Sequence, residues 1–173
     1  EAQIDRFMMK VLVDYPNQEE EYVIVERVTG AAIDINPVTS TDQLAALQRE
    51  VRKVYCDPSL IHHAVKLVAA TRDPAQFGLE DLGKYIAFGA SPRATISLIE
   101  GARALALLRG RAYVWPEDIS DLVHDVLRHR VSLTYEALAA GVDSQVIVDR
   151  IVKHISAPPR PLEHRDEARS ANG

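Results

Sequence analysis

Gly89-Ala90-Ser91-Pro92-Arg93-Ala94-Thr95 decides the reading of this chain. Ser91 can accept a hydrogen bond from the first free N–H groups of a helix. Pro92 follows at the first helical position, where its missing N–H costs nothing. Arg93 then lies on the first turn, beside the positive end of the helix dipole. A guanidinium and several backbone N–H groups aimed the same way make an anion clamp. Taken alone, the triplet also fits a well-capped helix with a solvated arginine.

Reading outward, this helix runs to about Arg109, is rich in Ala and Leu, and ends at Gly110. Ala112-Tyr113-Val114 is an extended link. Pro116 opens a helix whose Ile119, Leu122, Val123, Val126 and Leu127 form a full apolar face. Val131–Leu133 reads as extended, and residues 135–140 as a short helix ended by Gly141. Asp143 or Ser144 caps a last helix carrying Ile147, Ile151 and Ile155, ended by Pro158, Pro159 and Pro161. Toward the N-terminus, Asp57-Pro58 starts a helix with a wide stripe of Leu60, Ile61, Ala64, Val65, Leu67 and Val68, broken by Asp73-Pro74. Residues 79–88 are helical or irregular. Ser40 with Gln43 and Asn17 with Glu20 are capping pairs for two further helices. Residues 33–38 are loop-like. Phe7–Val13 is a short apolar run that reads as a buried strand. The expected core includes Ile61, Val65, Val68, Ile99, Leu122, Val126, Ile151 and Ile155. The fold class is therefore mainly α, a helical bundle preceded by one short β-strand.

The 173 residues are 47% hydrophobic but only 6% aromatic, a balance that suits helix-on-helix packing and suffices for one core. The net charge of −5 argues against a general nucleic-acid binder. The single cysteine, Cys56, excludes an internal disulfide and reads as a core or boundary residue; a reducing cytoplasm fits. No apolar run reaches the length of a membrane span.

His62 and His63 are adjacent and diverge on a helix, while His124 and His129 are five apart, so the histidines do not spell a metal site. Val146-Ile147-Val148-Asp149 imitates a Walker B strand but lies on a helical face and reads as core. Arg103, Arg109, Arg111, Arg128 and Arg130 form a basic scatter, read as solvated or paired with acids, or else as a partner surface. No G-x-x-x-x-G-K-[ST] occurs, so this chain has no P-loop.

Five stretches, in this order, resemble the C-terminal part of the MoxR-type AAA+ ATPase family. They are Glu1-Ala2-Gln3-Ile4-Asp5-Arg6-Phe7, Val13-Asp14-Tyr15-Pro16, Gly89-Ala90-Ser91-Pro92-Arg93-Ala94, Ala102-Arg103-Ala104-Leu105-Ala106-Leu107-Leu108 and Val126-Leu127-Arg128-His129-Arg130. The resemblance covers the chain to about Ile155. It implies that residues 1–16 end the ATPase core with its finger motif and last strand, that 17–156 form the helical lid domain, and that 157–173 are a Pro-rich, charged tail. It also implies Arg6 as the arginine finger acting in trans and Arg93 as sensor 2, with Ser91 as the cap supporting Arg93. Further implications are ATP and Mg²⁺ in the intact protein, a homo-oligomeric ring of neighbouring ATPase subunits, and partners with von Willebrand A-type domains. Neither membrane nor nucleic acid belongs to this set of partners. One departure is Trp115, where the family places Thr or Ser before a helix-opening proline. Without Walker A and Walker B motifs, this chain alone is expected not to hydrolyse ATP or to bind it tightly. Two other functions fit the residues: a stand-alone helical interaction module without nucleotide chemistry, and a nucleic-acid-binding helical domain.

Overall fold

A computed structural model describes residues 3–31 and 34–159. Along the chain run α1 (Gln18–Thr29), α2 (Thr41–Lys53), α3 (Pro58–Arg72), 3₁₀ turns at Pro74–Phe77 and Glu80–Tyr85, β1 (Ile86–Phe88), α4 (Pro92–Leu108), α5 (Pro116–Leu127), β2 (Ser132–Leu133), α6 (Tyr135–Ala139) and α7 (Ser144–His154). The mainly helical expectation holds. The remainder of the expected tail, 160–173, lies outside the described residues, as do Glu1, Ala2 and Ile33.

The helix starts follow the local chemistry. Asn17 and Glu20 exchange reciprocal hydrogen bonds of 2.9 and 3.0 Å, and Ser40 and Gln43 do the same at 3.2 and 2.9 Å. Pro58, Pro92 and Pro116 each open a helix. At the α4 terminus Gly110 takes φ +72°, and the Arg111 N–H reaches back to the Ala106 carbonyl at 2.9 Å. Trp115 offers no side-chain cap; instead Asp118 accepts the Trp115 N–H at 2.8 Å.

The core is built where α4 meets α5 and α3, and where α7 packs on α5 and α3. Ala94, Gly101, Ala102 and Ala106 keep the α4 surface low, so that α5 approaches closely. A Cβ on Gly101 would sit 3.0 Å from Leu122 Cδ1. Leu60, Leu67, Leu98, Ile119, Leu127, Ile147 and Ile151 are fully buried, each removed from water for roughly 1.5–3 kcal/mol. Val68, Val126 and Ile151 are in the core as expected, and Ile99, Leu122 and Ile155 pack on its margin. Cys56 is buried, which pushes its thiol pKa up. The α7 run Val146–Asp149 is core at Ile147 and Val148, while Asp149 pairs with His124 at 2.7 Å.

Two expectations are corrected. Ile61 and Val65 are 37% and 42% exposed. The buried stripe of α3 follows Leu60, Ala64, Leu67, Val68 and Thr71, and Ile61 and Val65 lie about 100° around the helix from it. The run Phe7–Val13 is not a strand. Among the described residues it has no neighbouring strand to share a ladder with, and Val11, Leu12 and Val13 are exposed. The sheet that does form is elsewhere. β1 and β2 pair antiparallel, Ile86 opposite Leu133 and Phe88 opposite Ser132. Thr134 closes it, donating its N–H to Tyr85 O at 3.0 Å and its hydroxyl to Lys84 O at 2.7 Å.

Candidate functional site

The end of α3 fixes the approach to α4. Thr71 Oγ1 accepts the Ala90 N–H at 2.8 Å, and Arg72 Nη1 donates to the Ala90 carbonyl at 3.0 Å. Ala90 is thus held on both sides of its backbone. Gly89 passes so near that a Cβ there would lie 2.3 Å from Thr71 O, a close approach only glycine allows. Ser91 emerges in extended conformation and accepts the Arg93 N–H at 3.2 Å, the expected cap.

The Ser91 hydroxyl also donates to the Asp5 carboxylate, at 2.9 Å to Oδ2. Arg93 Nη1 stands 3.5 Å from the same Oδ2, with 64% of its side chain exposed. Asp5 is shared with a third group. Arg130, just past α5, donates Nε to Asp5 Oδ1 at 3.1 Å. Its Nη1 donates to the carbonyls of Met8, at 3.0 Å, and Val126. Its Nη2 donates to the carbonyls of Asp5, at 2.9 Å, and Phe7. Only 1% of the Arg130 side chain is exposed. Burial lowers its pKa against the opposing pull of Asp5, yet an arginine remains charged far above neutrality.

His129 adds a contact of 3.2 Å from Nε2 to Phe7 O. Burial, opposed by that carbonyl and assisted by Arg130, lowers its pKa. Because a carbonyl oxygen can only accept, Nε2 is the donor in this contact. The Lys10 N–H donates to Asp125 O at 2.8 Å, and Met9 packs on the core. Residues 5–10 thus lie against the helical body, held by Arg130, His129 and the Asp125 carbonyl. A cavity of about 370 Å³ opens beside the clamp, with Asp5, Ser91, His129, Arg130, Phe88 and Val131 on its wall.

Arg6 is exposed, its guanidinium 5.4 Å from the Phe7 ring centroid. Asp5 is turned to Arg130, Ser91 and Arg93 rather than to Arg6; Glu1, the other acid near Arg6 in sequence, lies outside the described residues. Ser91 and Arg93 therefore share one cluster with the residue before Arg6, while Arg6 itself is exposed. The arrangement presents the exposed guanidinium of Arg93 beside a fixed carboxylate, with Arg6 exposed on the next residue. It suits recognition of an oxyanion and offers no nucleophile.

Arg130 was legible only as part of a basic scatter. A clue existed: it follows Val126 by four residues and Leu127 by three, extending the buried stripe of α5, where a charge requires partners. The partner, 125 residues away, has no signature in sequence.

Three of the other four arginines of that scatter are paired with acids. Arg109 and Arg111 bind Asp118, at 2.8 and 2.6 Å. Burial pushes the Asp118 carboxyl up, but Arg111, the Trp115 N–H and Arg109 outweigh it and hold its pKa below the usual range. Arg128 pairs with Asp125 at 2.9 Å. A second cavity, about 870 Å³, is separate and is lined by His62, His63, Lys66, Phe77 and His154 among others. His63 is buried and His62 exposed, the divergence expected of neighbours on a helix. Among the described residues no group of three or more His, Cys, Asp or Glu is placed to hold a metal.

Residues 80–151 match the AAA lid domain. Over 158 residues the chain is 41% identical to the chaperone MoxR1 of Mycobacterium tuberculosis, covering 91% of this chain and 42% of that protein. It is 33% identical over 144 residues to the protein MoxR of Paracoccus denitrificans, covering 75% and 42%. A crystal structure from Cytophaga hutchinsonii, assigned as an ATPase, superposes with a TM-score of 0.86 at 38% identity, over 91% of this chain and 48% of that one. The chain belongs to the MoxR-type AAA+ ATPases. It spans less than half the length of each of these relatives. Cavity, clamp and the start of α4 all sit at one edge of this MoxR-type lid. No helix among the described residues is long and apolar enough to cross a membrane.

Proposed function

We propose that this chain supplies Arg6 as a trans-acting finger and Arg93 as sensor 2 to a ring-forming MoxR-type ATPase that remodels or activates partner proteins. The observation that carries the reading is the Asp5 carboxylate, which joins the residue beside Arg6 to both Ser91 and Arg93. Phosphoryl transfer spreads negative charge over the γ-phosphate oxygens, and permanently charged, forked donors suit that charge. Arg93 carries a guanidinium that is two-thirds exposed on the first turn of a capped helix, where an anion is welcome. Arg6 is exposed, as a group serving a neighbouring subunit must be. In this reading ATP and Mg²⁺ are bound by the part of the subunit that contains a P-loop, which this chain does not. The ring is homo-oligomeric and cytoplasmic, and von Willebrand A-type proteins are its clients.

The test is turnover in a full-length subunit carrying this chain. Arg6→Ala and Arg93→Ala are each expected to lower ATP turnover strongly, by roughly a thousandfold for the finger. Wild-type rates in both variants would remove them from the site.

A further inference from the structure

We infer that Arg130 is the positioning residue of the finger, and that it makes the lid the element that sets where Arg6 points. This rests on the reading of Arg6 as a finger and goes beyond it. The resemblance places Asp5-Arg6-Phe7 at the end of the ATPase core, where strand pairing would hold it. Among the described residues the segment has no strand partner. Its backbone is held mainly by Arg130 of the lid, with His129 adding a bond to the Phe7 carbonyl and the Asp125 carbonyl taking the Lys10 N–H.

The hold is specific. The carbonyls of Asp5, Phe7 and Met8 all accept from Arg130, bracketing Arg6 on both sides. The guanidinium is almost wholly withdrawn from water, so each of these bonds is charge-assisted and unscreened. Its plane is oriented in turn by the Val126 carbonyl and the Asp5 carboxylate. Lysine at this position could supply charge but not the fork. The peptide carrying Arg6 is therefore fixed to the end of α5, and Arg6 moves with the helical body. Asp5 adds a second link. Its carboxylate is divided between Arg130, Ser91 and Arg93, so an anion that draws Arg93 away removes one of the charges that orients Asp5. The finger offered to one neighbour would then report the occupancy sensed by Arg93.

The experiment uses the full-length ATPase bearing this chain. Arg130→Met is expected to lower kcat by roughly a hundredfold, the effect of misplacing a catalytic group by about 1 Å, with KM for ATP near wild type. Arg130→Lys is expected to recover only part of the loss. Arg111→Met removes another largely buried arginine, one that binds Asp118 and takes no part in the Asp5 cluster; it should lower Tm while leaving kcat intact below the transition. Should Arg130→Met not fold, Asp5→Asn is the second variant. It keeps the backbone bonds and should lower kcat by a smaller factor at unchanged KM.

Mixed assemblies separate a finger defect from damage to the subunit's own site. Arg130→Met subunits, combined with subunits that cannot hydrolyse ATP but carry an intact Arg6, are expected to regain turnover, as Arg6→Ala subunits do. Turnover of Arg130→Met alone within about twofold of wild type would overturn the inference. So would rescue of Arg6→Ala but not of Arg130→Met, which leaves the finger reading standing. Failure to rescue Arg6→Ala overturns the finger reading itself, and the inference with it.

Discussion

Helices α1 and α4 begin equally well and end up in different circumstances. Asn17 and Glu20 give α1 a complete capping box, and its sequence carries Tyr22, Val23, Ile24, Val25 and Val28. Yet α1 buries none of its residues, and neither does α2. Helix α4 has a simpler cap but buries Ala94, Ser97, Leu98, Gly101, Ala102 and Ala106. Capping decides where a helix starts, and a continuous stripe facing other stripes decides whether it is held. The apolar residues of α1 cluster as Tyr22–Val25, nearly a full turn, rather than forming one stripe. Helices of this length are marginal in water without tertiary packing. Stability should accordingly be concentrated in α3–α5 and α7, with residues 5–10 sharing it through Arg130 although they have no regular structure.

The largest contrast is expected from paired truncations. Leu98→Ala, at a site with no exposure, should cost about 2–5 kcal/mol and lower the denaturation midpoint of the body. Leu47→Ala in α2, a residue 54% exposed, should cost less than about 0.5 kcal/mol. Equal losses in chemical denaturation followed through Trp115 fluorescence would break the distinction between the two regions.

A smaller effect comes from protonation. His63 and His129 both have lowered pKa values, His63 through burial and then Lys66, His129 chiefly through burial. The unfolded chain then binds protons that the folded body does not. Stability from these groups is complete above the unfolded histidine value of about 6.5 and falls as pH drops through the lower folded values. Tm of the body is therefore expected to decline from pH 7 to pH 5. The double variant His63→Gln, His129→Gln should flatten the decline. A Tm independent of pH in this window would contradict both assignments. Residues 17–53 contain no histidine, so this region has no corresponding response.

Much of the fold was legible because its signals are local. The caps at Asn17, Ser40, Asp57 and Ser91 and the stop at Gly110 involve atoms within a few residues of one another. The stripe of α5 was legible because its period is regular. The misread parts depend on distant partners. Ile61 and Val65 look like core until the position of α4 shows which face of α3 is covered. Phe7–Val13 has strand composition, but a strand requires a neighbour, and the groups that take up the backbone of residues 5–10 are Arg130, His129 and the Asp125 carbonyl. The candidate site divides the same way. The Ser91 cap and the place of Arg93 on the first turn follow from the S-P-R sequence, whereas the Asp5–Arg130 pair joins residues 125 positions apart.

The central claim is that the segment bearing Arg6 is held by the lid through Arg130 and shares the stability of the body rather than that of α1. Residue-resolved native-state hydrogen exchange on this chain tests it most directly. The Lys10 amide, bonded to Asp125 O, is expected to exchange far more slowly than the amides of α1 and to lose that protection in Arg130→Met while α4 keeps its own. A Lys10 amide exchanging as fast as those of Gln18–Thr29, or one unchanged by Arg130→Met, would contradict it.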